Sequence, residues 1–211
     1  MSTIERRERE KQQKRNHIID AAEKLFFKKG YTNTSMDQVA EEAEFSKGAL
    51  YLYFKDKEDL YLAINFRGLI ILKELFEKAY EAGQNGLDKS RKIGEAYLLF
   101  SHDYPNYYRA MHYYESTHID FKVNETSARQ CEELGQQVLG IVARAIQTGI
   151  DDGSIRSDLD PMNTAIVLWA HSTGMISIMS LRGEHLMEQH NLDLKGIMKL
   201  SLDMMTKSLQ E

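Results

Sequence analysis

The chain of 211 residues predicts an all-α fold. Three observations carry that expectation. Apolar residues recur at helical spacing almost everywhere, no stretch alternates as a half-buried strand would, and only Pro105 and Pro161 break the pattern. With 42% hydrophobic residues the chain can bury a substantial core, and no repeat of fixed period runs through it.

Residues Glu5 to Arg15 mix Arg6, Arg7, Arg9, Lys11, Lys14 and Arg15 with Glu5, Glu8 and Glu10, which reads as a solvated helical extension. Ile18, Ala22, Leu25 and Phe26 make the inner stripe of a first helix, closed by Lys28-Lys29-Gly30 with cations at the negative end and glycine beyond it. Met36, Val39, Ala40 and Ala43 fall at i, i+3, i+4 and i+7, one face of a short second helix. Ser35 opens that helix, and Gln38 three residues on completes a capping-box pattern. Ser46 is placed to cap a third helix running to Tyr53, and the inner pair is Leu50 and Phe54.

A turn of about 100° per residue from that inner pair carries Gly48 and Leu52 furthest outward, with Ala49 and Tyr51 on the flanks. This outer face is nearly uncharged, whereas a solvated face is normally dressed in Lys and Glu. The major groove of DNA is a surface it would fit. Gly48 permits close backbone approach, Ala49 and Leu52 suit thymine methyls, Lys47 suits a guanine edge or a phosphate, and the Tyr51 and Tyr53 hydroxyls suit phosphate oxygens. A purely structural hairpin with its aromatics packed on a neighbouring helix is the alternative.

The run Gly30-Tyr31, Thr34-Ser35-Met36, Val39-Ala40, Ala43, Ser46 to Phe54 and Lys57-Glu58-Asp59-Leu60 resembles the N-terminal domain of the TetR family of transcriptional regulators. The resemblance covers roughly the first quarter of the chain and implies a three-helix helix-turn-helix DNA-binding domain, here 1–55, followed by a helical effector-binding and dimerisation domain, here 56–211. The DNA-binding set it implies is Thr34, Ser35, Ser46, Lys47, Gly48, Ala49, Tyr51, Leu52, Tyr53 and Lys57. Two positions depart from the family pattern: Glu44 stands where the turn usually has Gly, and Leu52 where a polar or aromatic residue is common. If residue 44 is left-handed, Glu costs about 1–2 kcal/mol more than Gly there.

Asp56 caps the next helix, which has Asp59 in its first turn, runs through Leu60 to about Tyr80 and ends at Ala82-Gly83-Gln84-Asn85-Gly86. Long helices follow: one ending near His102, one starting at Pro105, one from Ser127 to about Ile150, one from Asp160-Pro161 to about Leu181, and a last from Leu194 to about Gln210. A loop is expected around Gly183 to Asn191. Phe100, Tyr104, Tyr107, Tyr108, Met111, His112, Tyr113 and Tyr114 form an aromatic concentration unlike the rest of the chain, with Tyr107, Met111, Tyr114 and His118 on one helical face. Ordinary core is one reading. Phenols and imidazoles bring polar groups that need partners, so a cavity for an apolar or aromatic ligand is the other. The effector-binding candidates are Phe66, Phe100, Tyr104, Tyr107, Met111, His112 and Tyr114, joined from a later helix by Trp169, Thr173 and Met175. Asn163, Val167, Ala170, Gly174, Ser177 and Leu181 share one stripe whose small residues admit a close helix neighbour. The family resemblance implies a homodimer through the last two helices.

Charge and chemistry narrow the classes further. The net charge is −5, yet Met1 to Lys57 holds twelve Lys and Arg against ten Asp and Glu, so the weakly basic end is the one assigned to DNA. The N-terminus is charged where a signal peptide would be apolar, and no apolar run reaches about 18 residues, so a soluble cytoplasmic protein without a membrane partner is expected. A lone Cys131 beside Glu132 and Glu133 fits neither a disulfide nor a reactive thiolate. There is no GxGxxG, no P-loop and no HExxH, and His112, His118 and Asp120 match no established ligand spacing. Neither catalytic residues, a cofactor nor a metal is expected. The reading is a ligand-responsive regulator, a repressor as the resemblance implies, released from a palindromic operator by an effector. An all-helical ligand-binding protein or enzyme with a structural N-terminal hairpin is the alternative.

Overall fold

A computed structural model describes residues 3–116, 125–191 and 193–210, with side chains throughout except at 114–116 and 125–126. Among the described residues the order is α1 (Thr3–Lys29), α2 (Met36–Glu42), α3 (Lys47–Leu50), α4 (Lys57–Ala82), α5 (Gly86–Asp103), α6 (Pro105–Ser116), α7 (Glu125–Asp152), α8 (Pro161–His190) and α9 (Leu194–Ser208), with no strand. The chain forms two compact units, Met1–Gly68 with Arg109–Glu132 and Leu69–Tyr108 with Glu133–Glu211.

The first unit is built on the stripes that helical periodicity marks out. Ile18, Ile19, Ala22 and Phe26 of α1, Met36, Val39, Ala40 and Ala43 around α2, Leu50, Phe54, and Leu60, Leu62 and Ile64 of α4 are all buried. Each large aliphatic or aromatic side chain so buried contributes about 1.5–3 kcal/mol of transfer free energy. Arg67 ties α4 to α1 at the surface, with its Nη1 2.6 Å from Asp20 Oδ1 and 3.1 Å from Glu23 Oε1. Asp56 caps α4 as expected: its Oδ1 accepts from the Asp59 amide at 2.8 Å, and Asp59 in turn accepts from the Lys55 amide at 3.0 Å.

In the second unit α5, α8 and α9 pack on one another. Ile146, Ile155 and Leu209 form a buried cluster, with Leu87, Ile150, Leu159 and Leu168 against it. The hydroxyl of Ser154, with the Gly86 amide at 2.8 Å and the Ser154 amide at 3.0 Å, hydrogen-bonds Asp152 at the end of α7 and holds its carboxyl below the ordinary carboxylate range. These bonds staple α7 to the start of α5. The crossing is close: a Cβ on Gly86 would stand 1.9 Å from the Gly149 nitrogen, so only glycine fits.

Two expected boundaries move. The third helix closes at Leu50 and not at Tyr53, because the chain tightens there: the Leu52 and Tyr53 amides donate to the carbonyls three residues back, Ala49 and Leu50. The loop expected from Gly183 to Asn191 is helical to His190. Residues 184–189 are mostly good helix formers, and α8 stops only where Asn191 turns left-handed at φ 50°. By length and composition α8 is apolar enough to cross a membrane, and 17% of its most apolar window is buried. Its stripe of Asn163, Val167, Ala170, Gly174 and Leu181 faces solvent, while Ala165, Ser172 and Ile176 face inward.

Candidate nucleic-acid interface and ligand region

The candidate reader is built by three local devices. The Ser35 hydroxyl accepts from the Gln38 amide at 3.2 Å while Gln38 Oε1 accepts from the Ser35 amide at 3.1 Å, so both halves of the capping box are made. The far end of α2 closes as a Schellman motif: the Phe45 amide donates to Ala40 O at 2.9 Å and the Glu44 amide to Glu41 O at 3.1 Å. That motif requires a left-handed residue, and Glu44 supplies it at φ 57°. Ser46 then caps α3, its hydroxyl accepting from the Ala49 amide at 3.2 Å.

These devices present an outward surface of small and apolar groups. Leu52 is 80% exposed, Tyr51 44%, and Ser46, Lys47 and Gly48 are exposed with them, while Ala49 and Tyr53 are half-buried. The Tyr53 ring meets Phe45 edge to face at 6.3 Å. Lys47 is held by Asp37, Nζ to Oδ1 2.7 Å, which raises its pKa and fixes the ammonium beside the N-terminus of α2.

Thr34 and Lys57 work inward. Thr34 is 2% exposed and its hydroxyl donates to Gly30 O at 2.9 Å. Lys57 Nζ donates to Tyr31 O and Thr34 O, each at 2.9 Å, and lies 4.3 Å from the centre of the Tyr31 ring; burial lowers its pKa. Together they close the loop that leads into α2. In the N-terminal extension, Arg15 stacks its guanidinium 4.9 Å from the Phe54 ring centre, whereas Arg6, Arg7, Arg9, Lys11 and Lys14 are exposed along α1.

The effector candidates fall in both units. In the second, Phe100 is fully buried and stacks on Tyr104 at 5.7 Å, and Thr173 of α8 shares a 3.0 Å hydrogen bond with the Tyr97 hydroxyl of α5. Tyr97 also meets Phe76 at 6.0 Å and Tyr108 at 5.9 Å between ring centres. Tyr107 and Met175 are half-buried, and Trp169 is exposed beside Ile166 and Val167. In the first unit Phe66, Met111 and His112 are half-buried. The Tyr114 side chain, His118 and Asp120 lie outside the described residues.

Sequence reasoning overlooked several groups here. Tyr97, one turn before Phe100, was detectable by extending the aromatic stripe backwards. Tyr61 was not: it is buried against Phe26, Tyr31 and Tyr113, and its hydroxyl donates to Ala110 O of α6 at 3.3 Å, a long-range arrangement. Asn65 of α4 is 2% exposed, and among the described residues neither its Oδ1 nor its Nδ2 has a hydrogen-bonding partner. Cys131 is buried with Sγ 3.3 Å from Leu62 O, and burial pushes the thiol up to about 12, so desolvation dominates over the neighbouring glutamates. Among the described residues no group of three His, Cys, Asp or Glu side chains could hold a metal ion.

Comparison with known proteins agrees with this geometry at both ends of the chain. Residues 18–64 match the family model for bacterial regulatory proteins of the tetR family, and residues 90–205 match the tetracyclin repressor-like C-terminal domain. The uncharacterized HTH-type transcriptional regulator YhgD of Bacillus subtilis is 31% identical over 160 residues, 72% of this chain and 76% of its own. The HTH-type transcriptional repressor KstR2 of Rhodococcus jostii is 30% identical over 148 residues, 70% of each chain. The crystal structure of the transcriptional regulator FadR from Bacillus subtilis in complex with stearoyl-CoA superposes with a TM-score of 0.70 at 19% identity, covering 90% of this chain and 96% of that one. With a matched reader domain, a matched C-terminal domain and relatives that are regulators over most of their length, the chain belongs to the TetR family and is a ligand-responsive, DNA-binding transcriptional regulator.

Proposed function

We propose that the protein represses transcription as a homodimer on a palindromic operator and is released when an apolar or aromatic effector binds. The observation that carries the DNA-facing part is Leu52, 80% exposed in the turn that follows the capped helix α3 and near Gly48 and Tyr51, where a solvated surface would carry charge. Ser35, Ser46, Lys47, Gly48, Ala49, Tyr51, Leu52 and Tyr53 form the proposed contact set, with Thr34 and Lys57 buttressing it from behind. Domain assignments of 1–55 for reading and 56–211 for sensing and pairing go with this proposal, as does a cytoplasmic location beside the DNA.

The pairing surface proposed is the outer face of α8 with α9. Met162, Ile166, Val167, Trp169, Ile178 and Leu181 are exposed on α8, and Leu200 and Met204 on α9, an apolar expanse that water would disfavour in a lone chain. A two-fold pair places two copies of α3 in successive major grooves roughly 34–36 Å apart. The effector acts by preferring a conformation with the wrong reader spacing, and a coupling of about 1–3 kcal/mol suffices to regulate. It is bound and not turned over. Since FadR was solved with stearoyl-CoA, effectors with a long acyl chain are the first to screen.

Selection of bound duplexes from a random pool tests the proposal. An inverted repeat with half-sites one helical turn apart is expected. Recovery of no enriched sequence at moderate salt, or of a single asymmetric site, overturns it.

A further inference from the structure

We propose that Asn65 is the polar anchor of the effector site, and that it selects effectors whose apolar body ends in an uncharged amide-like head offering an acceptor and a donor side by side. The inference rests on the ligand-responsive reading above and names the chemistry of its ligand. A buried carboxamide with both ends unmatched costs about 1–3 kcal/mol for each unsatisfied group, so such a residue calls for an explanation in something that binds there. Its place on α4 supplies one.

Residues three and four positions apart share a helix face. Four residues before Asn65, Tyr61 donates to Ala110 O of α6 at 3.3 Å; three before it, Leu62 O receives Cys131 Sγ of α7 at 3.3 Å. Asn65 is therefore the next residue on the stripe of α4 turned towards α6 and α7, where Met111 and His112 are half-buried. Phe66 follows it in sequence and is half-buried too. The side chains one turn away, Tyr61, Leu62 and Leu69, bring no charge, and Gly68 brings no side chain. Among these side chains of α4 a charged head would find no counter-ion, whereas a neutral amide is matched atom for atom: its carbonyl accepts from Nδ2 and its N–H donates to Oδ1.

The test uses three probes of one shape: octanamide, 2-nonanone, in which a methyl replaces the amino group, and nonane, which has no polar head. Titration calorimetry on the full chain is expected to rank them in that order, with octanamide about tenfold tighter than 2-nonanone. Asn65→Leu, of nearly the same shape, is expected to lose that preference and bind nonane at least as well as the wild type, with no fall in Tm because two unmatched polar atoms are removed. Asn65→Ser is the second variant, expected to keep part of the preference. The proposal is overturned if the wild type binds none of the probes or ranks the ketone with the amide, if the variants keep the full tenfold preference, or if Asn65→Leu lowers Tm by several degrees, which would assign Asn65 to an internal polar network or a buried water. Operator binding without probe is measured in parallel. Retained operator binding with failed discrimination overturns the Asn65 assignment alone, and loss of specific DNA binding by the wild type overturns the regulator reading on which it rests.

Discussion

Two uncharged faces stand open to solvent in this protein, and they are built differently. The face around α3 is short, capped at Ser46, and mixes Gly48, the Tyr51 hydroxyl and one aliphatic, Leu52. The face of α8 belongs to a helix of 30 residues and is aliphatic over several turns, with Val167 65% and Leu181 83% exposed. Polar handles among small groups suit a groove lined by bases and phosphates, where hydrogen bonds position and methyl contacts discriminate. A long aliphatic stripe relieved by Ala170 and Gly174 offers little to DNA and much to an identical helix. Similar exposure thus carries opposite meanings, and the side-chain inventory decides between them.

The contrast can be broken at either face. The largest effect is expected from Val167→Glu combined with Leu181→Glu, which places like charges against their own copies. Sedimentation equilibrium should find monomer, and operator affinity should fall by roughly 100-fold or more because the second half-site no longer binds as an intramolecular event. A dimer of unchanged stability would remove α8 from the interface. Lys47→Ala with Tyr51→Ala comes next, with specific operator affinity reduced about 10- to 100-fold in gel-shift titrations while the dimer and its Tm are kept.

Smaller effects sharpen the account of how the reader is held. Ser35→Ala should cost about 1 kcal/mol by removing one half of the capping box. Glu44→Gly should add about 1 kcal/mol by relieving the left-handed side chain. Urea unfolding reads both, and equal signs would contradict the geometry of the turn. The last expected effect is alkaline and is absent at neutral pH. Burial raises the Cys131 thiol to about 12, so the stability from its neutral form is complete below the unfolded pKa near about 8.5 and is lost as pH rises towards the folded value. Tyr61, raised in the same direction by burial, acts in the same sense. Unfolding free energy should therefore decline from about pH 9 upward, less steeply in Cys131→Ala, and a flat profile to pH 11 would contradict it.

What the sequence made legible was local. Caps at Ser35, Ser46, Asp56 and Asp160 follow from a side-chain oxygen two or three residues before an amide that lacks a partner, and all four are formed. Stripes of period 3.6 gave the buried faces of α1 and α2 because burial follows spacing on a helix. The end of α8 lies beyond the expected Leu181 because a glycine such as Gly183 costs only about 1 kcal/mol in a helix that neighbours support. For the candidate site, the outer residues around α3 could be counted off by angle, but the inward turn of Lys57 depends on carbonyls more than twenty residues away in sequence. Asn65 escaped notice for the same reason: an asparagine in a helix is unremarkable until its surroundings fail to satisfy it.

The solitary thiol has a practical sequel. Since Cys131 is buried and protonated, the native chain offers maleimides almost nothing to attack, and a single surface substitution such as Glu41→Cys creates a uniquely addressable handle beside the reader. Two such handles in a dimer become the ends of a spectroscopic ruler. The spacing that a candidate effector alters can then be read as a distance distribution, before any operator is known.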